Sequence, residues 1–386
     1  MQYPYYVVHQ HTFQTLLQDL KEALQTYWPN YTIGYSYKTN SLPWVVRFCK
    51  DHGCFAEVVS DDEYQLAKHY GIPDDNMIYN GPVKGKESFL SVIKNQGVVN
   101  IDSQREIRWL SELDGSHQTG IRVNFDLEKY AVGQSQCGDE GGRFGFCYEN
   151  GELKKAIDRI REQGDQVVGL HLHTSSKARG VEVYQAIASM ACRIADEYDL
   201  KLKYVDIGGG FFGGLSNKPQ FRDYAREVAD ILRNRFSPEQ TQLIVEPGMA
   251  LIGASVSYVT SVIDVKDTSY NRFVILDGTR MDIDPLMTKS KYFYSLEKSE
   301  ISSVCSKQVL CGSTCMEHDR LMTLTDEQEL QVGDRIVFDK VGAYTMCLSP
   351  LFIHYFPAVY LENDGEMKLI REKWTAEQYC QGCEDQ

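Results

Sequence analysis

Positive charge is in short supply in this chain. Lysine and arginine total 40 against 54 aspartates and glutamates, a net charge of -14 at neutral pH. That balance argues against nucleic acid or an anionic membrane as the main partner, and leaves room only for a local basic pocket of the kind that holds a phosphate. No apolar run reaches the roughly 18 residues of a membrane-spanning helix. Residues 1–10 lack a basic stretch followed by an apolar one, so no signal peptide is expected. The 11 cysteines are odd in number and scattered without framework spacing, as in a reduced cytoplasmic protein. Cys380-Gln-Gly-Cys383 has redox spacing but sits in a polar tail with no second ligand pair. His171 and His173 lack the further carboxylate or histidine of a zinc site, so no metal is expected. Low-complexity segments and solenoid repeats are missing. So is the glycine-rich turn that follows the first strand of an open dinucleotide-binding sheet.

What is present is a regular alternation of strand and helix signals. Residues 3–8 read as an opening strand. Residues 11–27 carry Phe13, Leu16, Leu17, Leu20 and Leu24 at helical spacing. Eight strand signals follow with helical stretches between them. The first runs into Tyr35-Ser36-Tyr37-Lys38, and the last is Gln242-Leu-Ile-Val-Glu246. Eight such units predict a (β/α)8 barrel. After Met249 the texture turns to short alternating, β-branched segments: 252–264, 272–276, 308–310, 334–338, 352–356 and 367–370. A C-terminal β-domain is expected, joined by the N-terminal strand. The boundaries are residues 11–250 for the barrel, and 251–386 with 1–10 for the β-domain.

Chemistry in a barrel of this kind sits where the strands end. Lys38 stands at such an end, and a partly desolvated lysine can form a Schiff base with an aldehyde cofactor. Asp206-Ile-Gly-Gly-Gly-Phe-Phe-Gly-Gly214 follows the seventh strand. Its Gly208, Gly209 and Gly210 let the backbone approach an oxyanion. His171 and His173 share one face of the sixth strand, with the Ser175 and Ser176 hydroxyls just beyond. Glu246, before the stiff Pro247-Gly248 turn, is placed to meet a ring nitrogen, and Glu57 at the second strand end is a further candidate. Cys315, in a Gly/Ser-containing loop, is an accessible thiol able to deliver a proton or act as a nucleophile. Tyr344 is presented by the small-residue turn Val341-Gly-Ala.

In this order the motifs resemble one family. Lys38 in Tyr-Lys-Thr-Asn, Glu57, Asn80-Gly-Pro-Val-Lys84, Asn100-Ile-Asp-Ser103, His173-Thr-Ser-Ser176, Asp206-Ile-Gly-Gly-Gly210, Glu246-Pro-Gly248, Cys315 and Gly342-Ala-Tyr344 are similar to the fold type III, alanine-racemase-like decarboxylases that use pyridoxal 5'-phosphate. These include the diaminopimelate, ornithine/arginine and carboxynorspermidine enzymes. The resemblance spans residues 3–360. It implies that Lys38 carries the cofactor, His173 stacks on its ring and Glu246 keeps the ring nitrogen protonated. Ser176, Gly208 to Gly210 and Tyr344 hold the phosphate, with Glu57 and Gly248 beside the cofactor. Cys315 returns a proton to Cα after carbon dioxide leaves. The family's cysteine loop reaches into a partner subunit, so a homodimer with shared active sites is implied.

This sequence departs from the family pattern at four places. Met249 stands where an arginine usually follows Glu-Pro-Gly. Ser175 replaces a glycine. Met316, followed by Glu317, stands where an acid beside the cysteine binds the distal ammonium of the substrate. Asp277 matches a position near the substrate tail. The arginine of the diaminopimelate-type enzymes is replaced by Asp284, with Arg280 as the available substitute. These departures point away from a standard diaminopimelate or ornithine decarboxylase. They suggest polyamine, lysine-type, siderophore or other natural-product synthesis. A racemase of the same fold and a catalytically inactive regulatory homologue are the competing readings.

Overall fold

The computed structural model describes residues 4–174, 177–298 and 303–383. The chain forms two compact units: Met1–Thr15 with Ile252–Gln386, and Leu16–Leu251. The first strand, β1 (Tyr5–His9), belongs to the former, and the helix Gln10–Tyr27 carries the chain onward into the latter. Its apolar stripe is buried as the spacing predicts, Phe13, Leu17, Leu20 and Leu24 all lying out of solvent.

In the unit Leu16–Leu251, nine strands follow: β2 (Tyr31–Ser36), β3 (Phe55–Val58), β4 (Met77–Tyr79), β5 (Val98–Ile101), β6 (Gln118–Asn124), β7 (Phe146–Cys147), β8 (Gln166–His171), β9 (Tyr204–Asp206) and β10 (Gln242–Val245). All pair in parallel. β10 joins β2 and β5 joins β6, so eight strands close into a ring while the two-residue β7 lies outside it on β6. Closure of a purely parallel sheet requires helical crossovers, and the sequence provides good ones. Helix Asp61–His69 starts with Ser60 accepting from the Glu63 amide, has three acids in its first turn and ends on Lys68 and His69. Helix Phe221–Leu232 opens with a reciprocal Gln220/Asp223 cap and buries Phe221, Tyr224, Ala225, Val228 and Leu232 along one face.

The barrel interior is filled by Ile78, Val168, Ile244 and the ring of Tyr204. The Tyr204 hydroxyl donates to Asn100 Oδ1 at 2.9 Å. Two glycines make room for that ring. A Cβ on Gly169 would lie 2.0 Å from Tyr204 Cζ, and one on Gly120 would lie 2.1 Å from its hydroxyl.

The unit formed by Met1–Thr15 and Ile252–Gln386 is the expected β-domain. Its strands are β11 (Val256–Asp267), β12 (Arg272–Leu276), β13 (Phe293–Glu297), β14 (Val304–Cys305), β15 (Gln308–Cys311), β16 (Arg320–Leu324), β17 (Glu327–Gln328), β18 (Arg335–Asp339), β19 (Ala358–Asn363) and β20 (Glu366–Arg371). The main sheet runs β16-β15-β12-β11-β1-β19-β20, with β18 bridging β11 and β13. β1 is central, antiparallel to β11 and parallel to β19.

Two local expectations are corrected. Residues 352–356 are irregular, not a strand. Ile353 takes a left-handed φ of 54°, and Pro350 and Pro357 flank the segment, which denies it a ladder. The strand starts at Ala358 instead. Lys38 stands beyond its strand: β2 ends at Ser36, and Tyr37–Thr39 form a 3-10 turn. The following helix begins only at Pro43, after Asn40 Oδ1 has accepted the Leu42 amide.

Candidate active site

Seven of the eight barrel strands end in, or are followed at once by, a polar residue, β3 carries Glu57 one place before its end, and most of these side chains join one network. Ser36 Oγ donates to Glu57 Oε2 at 2.6 Å, and Lys38 Nζ lies 2.8 Å from the same oxygen. Asn80 Nδ2 donates to Glu57 Oε1 at 3.0 Å and also to Glu246 Oε1. Asn100 Nδ2 donates to Asn80 Oδ1 at 2.8 Å and to Asp206 Oδ2 at 3.3 Å. His171 Nε2 lies 3.4 Å from Glu246 Oε2. Glu57, Asn80, Asn100, His171, Asp206 and Glu246 are all buried, whereas Lys38 is about one-third exposed and can meet a ligand.

Burying several carboxylates together forces a division of protons. Burial and the neighbouring Glu246 push Asp206 far up, so it is the protonated member of the pair. Burial works the same way on Glu246, but the charges of His171 and Lys38 and the hydrogen bond from Asp206 outweigh it. Glu246 is held ionised, below the usual carboxylate range. His171, Asp206 and Glu246 bring one ligand atom each within 4.8 Å of one another. Burial, helped by Lys38 and Arg122, lowers His173 to about 3. Its imidazole is neutral at physiological pH, with Nδ1 accepting the Gly209 amide at 3.3 Å.

A pH prediction follows from His173. The unfolded chain protonates this ring near 6.5 and the folded chain only near 3. Between those values the unfolded state binds more protons, so this group removes stability as pH falls from about 6.5 toward 3. In an NMR titration of the histidine rings, assigned with His173→Asn, the His173 signals should stay those of a neutral ring through pH 5. A midpoint near 6.5 would contradict the reading.

The glycine segment lies against two neighbours. A Cβ on Gly208 would lie 2.4 Å from His173 Nδ1, on Gly209 2.0 Å from the Glu246 carbonyl, and on Gly213 1.8 Å from the Ala250 carbonyl. Gly208 and Gly210 adopt φ of 70° and 92°, open to glycine and strained for other residues. Gly248 is likewise filled around, with Thr39 Oγ1 2.0 Å from its would-be Cβ. The edge of the barrel mouth between His173 and residues 246–250 is thus bare backbone. An exposed lysine amine, a neutral imidazole, an ionised carboxylate and a glycine edge match the aldehyde, ring face, ring nitrogen and phosphate of pyridoxal 5'-phosphate. Ser175 and Ser176 lie outside the described residues.

The other candidates belong to the β-domain. Cys315 is exposed, in a loop that Asp319 ties down by accepting from the Thr314 amide (3.1 Å), the Thr314 hydroxyl (2.6 Å) and the Arg280 amide (2.9 Å). Met316 is half-buried, and Glu317 is exposed with Arg320 3.5 Å away. Asp277 accepts from Thr260 Oγ1 (2.6 Å) and Ser261 Oγ (2.7 Å). Arg280 pairs with Asp284 at 2.9 Å and donates to the Lys289 carbonyl. Tyr344 is exposed at φ 55°, after Gly342, whose would-be Cβ meets the Ile252 carbonyl at 2.0 Å.

Sequence reasoning gave no role to several residues that the structure brings in. Asn80 bridges Glu57 and Glu246, and Asn100 joins Asn80 to Asp206. Lys84 and Glu106 form a fully buried pair at 2.9 Å, next to Asp102 and Arg122 at 3.3 Å. Arg122, His173, Thr174 and the loop 123–149 enclose a cavity of about 780 Å3. The signal for Asn80 and Asn100 was a polar residue at or beside a strand end.

The comparisons agree with this geometry. Residues 12–253 match the pyridoxal-binding domain of the pyridoxal-dependent decarboxylases, and the chain belongs to that family. It is 26% identical over 373 residues to a diaminopimelate decarboxylase of Aquifex aeolicus, covering 92% of this chain and 87% of that one. It is 25% identical over 375 residues to the L-glutamyl-[BtrI acyl-carrier protein] decarboxylase of Niallia circulans, covering 89% of this chain and 85% of that one. The crystal structure of the M. jannaschii diaminopimelate decarboxylase with L-lysine superposes with a TM-score of 0.87 at 22% identity, over 99% of this chain and 92% of that one. The Paramecium bursaria Chlorella virus arginine decarboxylase bound to agmatine gives 0.78 at 19%, over 94% and 96%. The chain is a pyridoxal-phosphate-dependent carboxy-lyase acting on an amino acid or an amino-acid conjugate. Among the described residues no helix is long and apolar enough to cross a membrane.

Proposed function

We propose that this enzyme removes the Cα carboxyl group of a substrate whose distal end is a conjugate, with no free ammonium. Lys38 carries the cofactor, with Glu57 beside it. His173 lies against the ring face and Glu246 holds a proton at the ring nitrogen. Ser176, Gly208, Gly209, Gly210, Gly248 and Tyr344 serve the phosphate. When bound, pyridoxal phosphate draws off the electron pair left behind by carbon dioxide. The observation that carries this assignment is the geometry of the barrel mouth, with Lys38 Nζ 2.8 Å from Glu57, Glu246 buried between Asn80 and His171, and Gly209 donating to His173. A permanently anionic carboxylate there favours a protonated ring nitrogen. Cys315 donates a proton to Cα, in a site completed by a second copy of the chain in a cytoplasmic homodimer.

The substrate reading rests on the β-domain residues. Met316 offers an apolar surface where an acid would meet a distal ammonium. Arg280 is engaged with Asp284 and the Lys289 carbonyl. The Niallia circulans relative, named for a glutamyl group on an acyl-carrier protein, shows that this family includes conjugate substrates. Carbon dioxide release by purified enzyme, compared across diaminopimelate, ornithine, arginine and amino acids masked at the side chain, tests it. Turnover should favour the masked substrates by at least ~10-fold, the scale of a distal contact worth about 1.4 kcal/mol. Efficient use of diaminopimelate or ornithine would sink the proposal.

A further inference from the structure

Met249 begins the short helix Met249–Ile252 directly after Glu246-Pro-Gly248, alongside the glycine segment. Its thioether is a weak acceptor and cannot donate to an anion. Beside it stands a guanidinium from a different element. Arg179 Nη1 lies 2.6 Å from Met249 Sδ, and the guanidinium carbon lies 5.5 Å from the centre of the Phe212 ring. Phe212 belongs to the glycine segment itself, and Lys218 Nζ lies 5.2 Å from the same ring.

The backbone of Arg179 is held in place for this. It takes a left-handed φ of 52°, which few non-glycine residues adopt, and its carbonyl accepts the Tyr224 hydroxyl at 2.7 Å. Tyr184, whose hydroxyl bonds the Gly209 carbonyl at 2.8 Å, feels the positive charge of Arg179. Arg179 is therefore fixed between the glycine backbone and the turn after Glu246, with one face of its guanidinium on an aromatic ring. Planar, permanently charged and rich in donors, a guanidinium is the side chain best suited to a phosphate ester.

We infer that Arg179 is a phosphate-binding residue of the cofactor cradle, reaching from the segment after β8 to the place at which Met249 supplies no cation. The inference rests on the cofactor site proposed above.

Equilibrium titration of apoenzyme with pyridoxal 5'-phosphate and with pyridoxal, followed by absorbance, tests the inference. The wild type should bind both, the ester more tightly. Arg179→Met should weaken the ester by roughly 10- to 100-fold, the worth of a hydrogen bond to a charged group, and leave pyridoxal within ~2-fold. Unchanged pyridoxal binding also shows that the variant is folded. Arg179→Lys should fall between the two, and adding Met249→Arg to Arg179→Met should restore ester affinity. Equal loss for ester and pyridoxal, or no loss for either, overturns the inference. If the wild type itself takes up no pyridoxal phosphate at Lys38, the site proposal fails before Arg179 is in question.

Discussion

Lys38→Ala should abolish the visible absorption of lysine-bound pyridoxal phosphate and lower decarboxylation by at least ~10⁴-fold, the scale seen when a covalent catalyst is removed. The geometry makes this a clean substitution. Lys38 sits in a 3-10 turn beyond β2, and its amine meets Glu57 Oε2, an oxygen that Ser36 also occupies. Glu57 keeps its Asn80 and Ser36 donors when the amine is gone, so the buried network survives the loss. Stability should change by less than ~1 kcal/mol, because the pair is partly exposed on the lysine side. Cys315→Ala provides the contrast. It should keep the absorption and still slow turnover by about 10²- to 10⁴-fold, the range for a positioned proton donor. Mixing the two inactive variants should recover activity if one site draws on both copies of the chain. A Lys38→Ala protein that retains the band, or turns over normally, would remove Lys38 from the mechanism.

Glu106→Gln should destabilise the barrel by about 3–5 kcal/mol. Lys84 and Glu106 have no solvent exposure, and Lys84 Nζ has Glu106 Oε2 at 2.9 Å and the Gly81 carbonyl at 2.8 Å. Burial pulls the Lys84 pKa down and Glu106 pulls it back up, so the carboxylate is what sustains the ammonium. Glutamine can keep the acceptor used by the Asp102 amide while removing the charge. Lys84 must then lose its proton or remain a buried cation. Lys84→Met with Glu106→Leu removes both charges and should recover most of the stability, measured by thermal and denaturant unfolding. If the single variant lost less than ~1 kcal/mol, the pair would not be holding this part of the barrel together.

The barrel was legible because its signals repeat. β-branched runs alternate with amphipathic helices, and nearly every strand closes on or beside a polar residue. Lys38, Glu57, His173, the glycine segment and Glu246 came from strand-end position together with the family resemblance, and hydrogen bonds and close contacts link them at the barrel mouth. The β-domain was harder to read. β13 is exposed or half-exposed along its length, so its alternation carries little apolar contrast. Residues 352–356 have strand composition, but Ile353 and the flanking prolines deny them pairing. The partners of buried polar groups were also out of reach. Asn80 joins Glu57 to Glu246, 166 residues away in sequence, and no local period encodes such a contact. Arg179 belongs to no motif, and its place beside Met249 and Phe212 is set by tertiary contacts alone.

Tyr204, Gly120 and Gly169 constrain one another in a way that reaches beyond this one sequence. The ring occupies the volume that a methyl group on either glycine would need. Alanine at 169 is therefore incompatible with tyrosine at 204. Any smaller residue at 204 opens a hole at the barrel centre that only side chains at 120 or 169 can refill. Among descendants of this chain, the three positions should change as a set: one large residue and two glycines, or a smaller residue traded for added methyls opposite it. Single substitutions at any of them should be scarce.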